Sequence, residues 1–195
     1  MAKLHFYYSA MNAGKTTILL QSNYNYCERG MNTLLYTPKI DNRVQEGLIA
    51  SRIGLKAEAK PFDPDFNIYD DIKAENQKHK IHCVFVDEAQ FLNKKQVEQL
   101  TDIVDFLDIP VLTYGLRSDY MGQPFEGSLY LMTWAEELSE IKTVCHCGSK
   151  ATMVLRLDPE GKPMMSGNQI MIGGNESYLS VCRKHYKKGD TGVIK

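Results

Sequence analysis

Short apolar runs alternate with longer polar or amphipathic stretches over the first 115 residues. The apolar runs have the length of buried strands and fall at residues 4–8, 33–37, 82–86 and 110–114. The stretches between them predict helices at residues 15–29, 67–80 and 94–107. Strands that alternate with helices predict an α/β fold, in which a parallel sheet is covered by helices.

Local signals predict how several of these elements begin and end. Gly30 is expected to adopt a left-handed conformation after the first helix. Asn93, with a glutamine three positions later, predicts a capping box at the start of the third helix. Two prolines predict irregular structure for residues 55–66. Residues 116–127, rich in glycine, charge and aromatic side chains, predict a loop of the kind that serves as a lid.

Residues 9–16 connect the first strand to the first helix and match most of a phosphate-binding loop. In such a loop backbone N–H groups wrap phosphates, the lysine (here Lys15) reaches the β- and γ-phosphates, and the next hydroxyl (Thr16) binds magnesium. The positive end of the following helix points at the same place. Ser9 stands where the pattern has glycine, so it has to hold the backbone angles of the turn. By themselves the last three residues are more typical of an ordinary helix start, but the preceding strand and a later acidic strand favour phosphate binding.

The third apolar run ends in two acidic residues, Asp87 and Glu88. Functional groups gather at the carboxyl ends of parallel strands, and adjacent side chains on a strand point in different directions. Asp87 therefore fits the magnesium-binding partner of the phosphate loop, and Glu88 is free to act as a base. The alternative is that the pair only caps the next helix. Arg43 and Arg52 could face phosphate, although a lone arginine on a loop is more often simply solvated.

The composition excludes some classes of binding partner. The chain has 195 residues, of which 43% are hydrophobic, and its 23 Lys and Arg against 24 Asp and Glu give a net charge of −1. This charge leaves no electrostatic footprint for general binding to DNA or RNA and favours a small-molecule partner. No apolar run is long enough for a signal peptide or a membrane span, which predicts a cytoplasmic protein without a membrane partner. The length suits one domain, residues 1–142, with a small appended unit, residues 143–195, called here the C-terminal module.

Three of the five cysteines lie in the C-terminal module, within two short pairs of metal ligands. Cys145 and Cys147 form the first pair, and Cys182 and His185 form the second. Three thiolates and an imidazole match a structural zinc site with a closed protein shell. The first pair is one residue tighter than the usual spacing, so His146 is a competing ligand, and free thiols are the alternative to a metal.

The segment between the two ligand pairs predicts a hairpin with strands at residues 153–157 and 170–172. Zinc would then clamp the base of a long loop, and two glycines at residues 173–174 would allow its backbone to approach a ligand closely. This loop is therefore predicted to cover a substrate. The other cysteines, Cys27 and Cys83, fall on a predicted helix and a predicted strand, where core packing is expected.

Taken together, these motifs resemble those of the thymidine kinase family, of the compact type shared by bacteria, some viruses and the animal cytosolic enzyme. The resemblance covers nearly the whole chain. Ser9 and the closely spaced pair Cys145 and Cys147 resemble the residues that the bacterial branch of the family carries at these positions. Its motifs are residues 9–16, 87–91, 114–117, the two ligand pairs and 172–183. It implies a RecA-like α/β core with a zinc-clamped lasso loop, and ATP with magnesium as the phosphoryl donor. It also implies phosphorylation of the 5′-hydroxyl of thymidine to dTMP, and of deoxyuridine likewise, in nucleotide salvage, a homotetramer, and feedback inhibition by thymidine triphosphate (dTTP).

The resemblance also implies roles for individual residues. Glu88 resembles the general base that takes the proton of the 5′-hydroxyl, and the zinc ligands are Cys145, Cys147, Cys182 and His185. The group that binds ATP comprises Ser9, Ala10, Met11, Asn12, Ala13, Gly14, Lys15, Thr16, Asp87 and Gln90, with Thr16 and Asp87 on magnesium. The pocket around the base comprises Met11, Phe91, Leu116, Tyr120, Phe125 and Tyr178. From the residues alone, Tyr120 and Phe125 could be loop anchors, although aromatic side chains beside a phosphate site also stack on a base.

Two other functions share parts of this pattern. The Asp-Glu-Ala-Gln sequence at residues 87–90, together with zinc knuckles, also occurs in nucleic-acid-dependent ATPases. Against that function, the length leaves no room for a second motor domain and the chain has no basic stripe. A GTPase would need a guanine-reading Asn-Lys-x-Asp, and residues 93–96 lack the aspartate. Turnover of ATP with thymidine, with single-stranded DNA and with neither distinguishes the three functions.

Overall fold

The computed structural model describes residues 1–41, 46–164, 166–167, 169 and 177–192. Within these ranges the strands are β1 (Leu4–Ser9), β2 (Thr33–Pro38), β3 (Leu48–Ala50), β4 (Lys56–Glu58), β5 (Lys60–Phe62), β6 (Cys83–Val86), β7 (Val111–Leu116), β8 (Glu137–Glu140), β9 (Thr143–Val144), β10 (Lys150–Ala151), β11 (Met153–Leu157), β12 (Pro163–Met164) and β13 (Tyr178–Val181). The helices are α1 (Lys15–Cys27), α2 (Ile68–Lys78), α3 (Lys94–Leu107), α4 (Glu126–Trp134) and α5 (Arg183–Lys188). None of these helices is both long and apolar enough to cross a membrane.

Six parallel strands form the central sheet, in the order β5-β2-β6-β7-β1-β8. The predicted α/β fold is therefore confirmed. β7 lies between β6 and β1, and all three run in the same direction, so the segments that follow them leave from one edge of the sheet. That edge carries residues 9–16, the acidic pair Asp87 and Glu88, and the loop that begins at Leu116.

Alternate residues of β6 pack against helices on opposite faces of the sheet. Val84 and Val86 belong to an apolar cluster shared with α2, α3 and α4, whereas Cys83 and Phe85 belong to a second cluster shared with α1. All four side chains are fully buried, so the predicted core packing of Cys83 is confirmed. A strand covered on both faces has a continuous apolar sequence, which explains why residues 82–86 are recognisable as a central strand.

Two regions, residues 55–66 and residues 126–140, contain helices or strands that the sequence pattern does not predict. Residues 55–66 are not irregular, because β3 and β4 form an antiparallel hairpin and β5 joins the edge of the central sheet. Pro61 is compatible with β5 because an edge strand has one side without a hydrogen-bonding partner. The sequence pattern also does not predict α4 or β8.

Helix α1 ends two residues earlier than predicted. Gly30 adopts the expected left-handed conformation (φ 71°), but the helix itself ends at Cys27. The predicted core packing is wrong for Cys27, which is exposed. Its sulfur lies 3.7 Å from the side-chain oxygens of Asn23 and Thr33, so it sits among polar groups rather than in the apolar cluster.

Helix α3 begins with the predicted capping box. The Asn93 side chain accepts a hydrogen bond from the Gln96 N–H (2.9 Å), and the Gln96 side chain accepts one from the Asn93 N–H (3.2 Å). Gln96 Nε2 also donates to the carbonyl oxygens of Asp63 (2.8 Å) and Phe66 (3.2 Å). The same side chain therefore caps α3 and holds the turn that leads from β5 to α2.

The C-terminal module has its own small sheets and its own apolar cluster. β9 pairs with β10, and β11 lies between β12 and β13, all antiparallel. The predicted strand at residues 153–157 is confirmed as β11, while the one at 170–172 and the glycines at 173–174 lie outside the described residues. Leu155 and Val181 are buried within the cluster of the module.

The start of α4 packs against the 3-10 turn Ala89–Phe91, which directly follows the acidic pair. A Cβ atom added to Gly127 would lie 2.5 Å from the carbonyl oxygen of Ala89 and 2.7 Å from that of Leu92. Both are backbone atoms, which cannot rotate away as a side chain could. The absence of a side chain at residue 127 therefore allows α4 to support the turn behind the site.

We predict that Gly127→Ala lowers the free energy of unfolding by about 1–3 kcal/mol, because the added methyl group forces α4 away from the turn. Chemical denaturation measures this difference. Leu129→Ala, on an exposed position of the same helix, serves as the control and should change stability by less than about 0.5 kcal/mol. Equal stability of the Gly127→Ala variant and the parent protein would contradict this explanation of the close approach.

Candidate active site

The loop of residues 9–16 closes around the ammonium group of Lys15. Lys15 is buried, and its Nζ donates to the Ser9 hydroxyl (3.0 Å) and to the Ala10 carbonyl (3.2 Å). Asn12 (φ 62°) and Gly14 (φ 83°) both adopt left-handed backbone angles. Conformations of this kind turn successive backbone N–H groups toward one point, where they form a concavity that binds anions.

Ser9 is compatible with the position at which the sequence pattern has glycine. It is the last residue of β1, so its backbone remains part of the strand. Its hydroxyl donates to the Ala10 carbonyl (2.6 Å) and accepts the hydrogen bond from Lys15. The serine therefore adds a partner for the lysine.

Thr16 and Asp87 meet at the edge of the sheet. Thr16 Oγ1 donates to Asp87 Oδ2 at 3.1 Å. Adjacent ligands of an octahedral magnesium ion, each 2.0–2.1 Å from the metal, lie ~3 Å apart, so these two oxygens fit a magnesium site. Burial, followed by the charge of the neighbouring Glu88, raises the pKa of Asp87. A cation beside this carboxylate would favour its charged form.

Glu88 leaves the strand through a sharp turn. Its backbone adopts left-handed angles (φ 47°, ψ 41°), which are uncommon for a residue with a side chain. Its N–H donates to Asp87 Oδ1 (3.0 Å), and its Oε2 accepts a hydrogen bond from Gln90 Nε2 (2.6 Å). Gln90 Oε1 in turn accepts one from the Leu116 N–H (3.0 Å). The turn therefore gives the two neighbouring carboxylates different partners.

A cavity of about 480 Å³ lies at this edge of the sheet. The residues predicted for the site that line it are Met11, Asn12, Ala13, Gly14, Lys15, Thr16, Asp87, Glu88 and Leu116. Three other predicted residues, Ser9, Ala10 and Gln90, are buried and form hydrogen bonds to residues of this lining. The cavity thus brings the loop, the acidic pair and the end of β7 together.

Residues from β2 and from the β3–β4 hairpin also line the cavity. Thr37 and Asp41, at and after the end of β2, could have been found from the rule that functional groups gather at the carboxyl ends of parallel strands. No comparable signal marks the hairpin. Arg52 on this hairpin lines the cavity and donates from Nη2 to Asn12 Oδ1. Arg43 lies outside the described residues.

The four aromatic residues predicted for the base pocket lie at two places, Phe91 with Phe125 and Tyr120 with Tyr178. The rings of Phe91 and Phe125 meet edge to face, with centroids 5.9 Å apart. Tyr120 is 2% exposed, and the guanidinium group of Arg156 lies 5.2 Å above its ring. Tyr178 on β13 is opposite Arg156 on β11. These four aromatics do not line the 480 Å³ cavity, whereas the other two residues predicted for the base pocket do.

The four predicted zinc ligands meet in the C-terminal module. The ligand atoms of Cys145, Cys147, Cys182 and His185 all lie within 4.8 Å of one another. His185 Nδ1 is 3.3 Å from Cys145 Sγ and 3.5 Å from Cys182 Sγ, and the sulfurs of Cys147 and Cys182 are 4.0 Å apart. Tetrahedral zinc, with bonds of 2.0–2.3 Å, places its ligand atoms ~3.5–3.8 Å apart. The cluster therefore has the donor set and the size of a zinc site.

His146 is a neighbour of this cluster. Its ring stacks on that of His185 with centroids 4.3 Å apart, and its Nδ1 lies 3.7 Å from Cys145 Sγ. The Nε2 atoms of both histidines are 3.8 Å from the carboxylate of Asp190. Because His185 lies close to two of the thiols, it fits the fourth ligand position better than His146.

The fold and the site together define a mixed α/β protein whose candidate site lies at the carboxyl edge of a parallel sheet, with a separate Cys/His cluster. A model of the family described as "Thymidine kinase" matches residues 2–186. The chain is 59% identical over 187 residues to the thymidine kinase of Salmonella typhimurium, covering 96% of this chain and 91% of that protein. It is 58% identical over 188 residues to the thymidine kinases of Escherichia coli K12 and Shigella flexneri, covering 96% of this chain and 92% of each relative. The chain therefore belongs to the thymidine kinase family of enzymes, as the sequence motifs predict.

Proposed function

We propose that this chain transfers the γ-phosphoryl group of ATP to the 5′-hydroxyl of thymidine and so produces dTMP and ADP. The observation that carries the proposal is the convergence of Lys15, the Thr16–Asp87 pair and Glu88 on one cavity. These groups supply a phosphate partner, two magnesium ligands and a base, which are the parts that phosphoryl transfer needs. Membership of the family adds the identity of the nucleoside.

The loop of residues 9–16 holds the phosphates of ATP. Its backbone N–H groups and the positive end of α1 surround the phosphate chain, and Lys15 reaches the β- and γ-phosphates. The ammonium group of Lys15 donates to the Ser9 hydroxyl (3.0 Å) and to the Ala10 carbonyl (3.2 Å), so it is directed into the loop. Thr16 and Asp87 would hold magnesium, which would supply positive charge to neutralise the charge that develops on the transferring phosphoryl group.

Glu88 acts as the general base in this proposal. As the 5′-oxygen forms its bond to the γ-phosphorus and the bond from that phosphorus to the ADP oxygen breaks, the proton of the hydroxyl passes to the Glu88 carboxylate. Gln90 donates a hydrogen bond to Glu88 Oε2 at 2.6 Å and so orients the carboxylate that accepts the proton. Asp87 is committed to magnesium, so the neighbouring acids have separate tasks.

The thymine base occupies an apolar pocket formed by Met11, Leu116 and the aromatic residues Phe91, Tyr120, Phe125 and Tyr178. The C-terminal module, as a second domain after residue 142, contributes the lasso loop that covers the base. Deoxyuridine lacks only the 5-methyl group, and a missing methyl group in an apolar pocket costs about 1–3 kcal/mol, so it is accepted less efficiently than thymidine.

The four side chains of the Cys/His cluster would hold one structural zinc ion, which would stabilise the base of the lasso. Three thiolates and an imidazole are a complete set of protein ligands, so the ion would offer no open position to a substrate. Its contribution is therefore to stability and to the position of the loop rather than to the transfer step.

The proposal has further parts, of which the tetramer and the feedback inhibition rest on the family, and the location and the excluded partners rest on the composition. The enzyme is a cytoplasmic homotetramer, for which exposed apolar side chains such as Tyr24, Phe106 and Trp134 offer contact surface. The product of the downstream pathway, dTTP, inhibits it, because one molecule carries both the base that the pocket binds and the phosphates that the loop binds. Nucleic acid and membranes are not partners.

We predict that Lys15→Ala lowers kcat for thymidine phosphorylation by at least about 10²-fold, because a buried cation at the γ-phosphate is lost. The assay measures ATP turnover with thymidine, with single-stranded DNA and with neither, and circular dichroism checks the fold. Lys95→Ala, at an exposed position on α3, is the control and should keep parent activity. Near-parent turnover by a folded Lys15→Ala variant, or turnover that depends on DNA, would overturn the proposal.

Glu88→Gln removes the proposed base while it preserves the size of the side chain. We expect kcat to fall by about 10²–10⁴-fold with ATP affinity largely kept, because general base catalysis contributes that range. Glu28→Gln, on the surface at the end of α1, is the matched control. If Glu88→Gln phosphorylates thymidine within a few-fold of the parent rate, the hydroxyl loses its proton to another group and the assignment is wrong.

Substitution of one proposed ligand tests whether the Cys/His cluster binds zinc and whether the zinc stabilises the fold. We predict one zinc per parent chain by elemental analysis, and loss of that zinc in Cys182→Ser with a Tm lower by about 5–15 °C. Cys27→Ser changes the exposed cysteine outside the cluster and should keep both metal and Tm. His185→Ala should also lose zinc, whereas full occupancy in that variant would identify His146 as the fourth ligand. Parent-like Tm and activity in a metal-free Cys182→Ser variant would argue against a structural zinc.

A further inference from the structure

Ser180 links the C-terminal module to the loop of residues 9–16. It lies on β13, is 9% exposed, and donates from Oγ to the Met11 carbonyl at 2.5 Å. Another hydroxyl of the module, Tyr186 Oη, donates to the Tyr120 carbonyl at 2.9 Å. Of these two bonds between the module and the α/β core, the one from Ser180 ends on the loop.

The bond from Ser180 acts on the peptide unit between Met11 and Asn12. In a trans peptide the C=O group and the following N–H group point in opposite directions, so a Met11 carbonyl held toward Ser180 directs the Asn12 N–H away from it. Asn12 has left-handed backbone angles, and both residues line the cavity. Since N–H groups in such loops are the donors that bind phosphates, the Ser180 bond constrains one of those donors.

The position of Ser180 depends on the rest of the module. Ser180 is opposite Val154 of β11, and Cys182 of the Cys/His cluster follows two residues later. Residues two apart on a strand lie only about 7 Å from each other, so the end of β13 cannot move without moving the Ser180 hydroxyl. The cluster and the loop are therefore joined through a short, ordered segment.

We propose that Ser180 is a positioning residue through which the C-terminal module keeps the loop of residues 9–16 in the conformation that binds ATP. The inference rests on the proposed function, because it concerns the affinity of that loop for a nucleotide. If Ser180 has this role, the Cys/His cluster affects nucleotide binding as well as the stability of the module.

The test compares variants of the full, zinc-loaded chain in calorimetric titrations with magnesium and a non-hydrolysable ATP analogue. Ser180→Ala should raise the Kd of the analogue about 3–10-fold, because one buried hydrogen bond to the loop is lost. In kinetic assays KM for ATP should rise by a similar factor while kcat at saturating ATP changes less than about twofold. Ser180→Thr keeps the hydroxyl and should restore the parent Kd.

Tyr186→Phe is the matched control, because it also removes a hydroxyl that bonds to a carbonyl of the core, but at Tyr120 rather than on the loop. Its Kd for the analogue should equal that of the parent. If Ser180→Ala does not fold, Ser180→Cys, which is close in size and a weak donor, replaces it with the same expectation. A parent-like Kd in a folded, zinc-loaded variant contradicts the inference, and so does equal weakening by Tyr186→Phe.

Lys15→Ala in the same titration separates this inference from the proposed function. Loss of analogue binding in Lys15→Ala with parent-like binding in Ser180→Ala overturns the role of Ser180 alone. Parent-like binding in Lys15→Ala overturns the use of the loop for ATP. Weakening by both substitutions supports the two together.

Discussion

The parallel register of β6, β7 and β1 is the constraint on which the site depends. Val86 lies opposite Thr113, and Ser9 lies opposite Leu116, so the three strands end at the same edge. The sheet is buried on both faces, and a shift of one residue would turn apolar side chains to the wrong face, so this register is strongly fixed. The hydrogen bonds that cross the edge, from Thr16 of α1 to Asp87 and from the Leu116 N–H at the end of β7 to Gln90 of the 3-10 turn, follow from it.

Burial of charge at this edge is the second constraint. Lys15, Asp87 and Glu88 are each less than 9% exposed, and a buried charge costs stability unless it has polar partners. The Ser9 hydroxyl, the Ala10 carbonyl and the side chains of Thr16 and Gln90 provide those partners. Side chains that are held in this way need little rearrangement during a reaction. In the proposed mechanism, this preorganisation allows their charges and dipoles to stabilise the transition state.

The C-terminal module and the α/β core act together in the proposed mechanism. The family model extends from residue 2 to residue 186, so it includes both parts. The module carries the Cys/His cluster and the strand from which Ser180 reaches the loop, while Tyr186 holds the loop that follows β7. Contacts at two separate places on the core therefore connect the Cys/His cluster to the regions proposed to hold ATP and the base.

The sequence by itself determined the fold class, the loop of residues 9–16, the acidic pair and the four side chains of the Cys/His cluster, because strand and helix periods and short motifs are local properties of the chain. The exposure of Cys27 and the strands within residues 55–66 were decided by tertiary contacts that override local propensity. The same holds for the hydrogen bond from the Leu116 N–H to Gln90 and for the location of the β3–β4 hairpin beside the cavity. Ser180 and Met11 are 169 positions apart, and no spacing rule relates residues at that separation, so only the packing of the module against the core could bring them together.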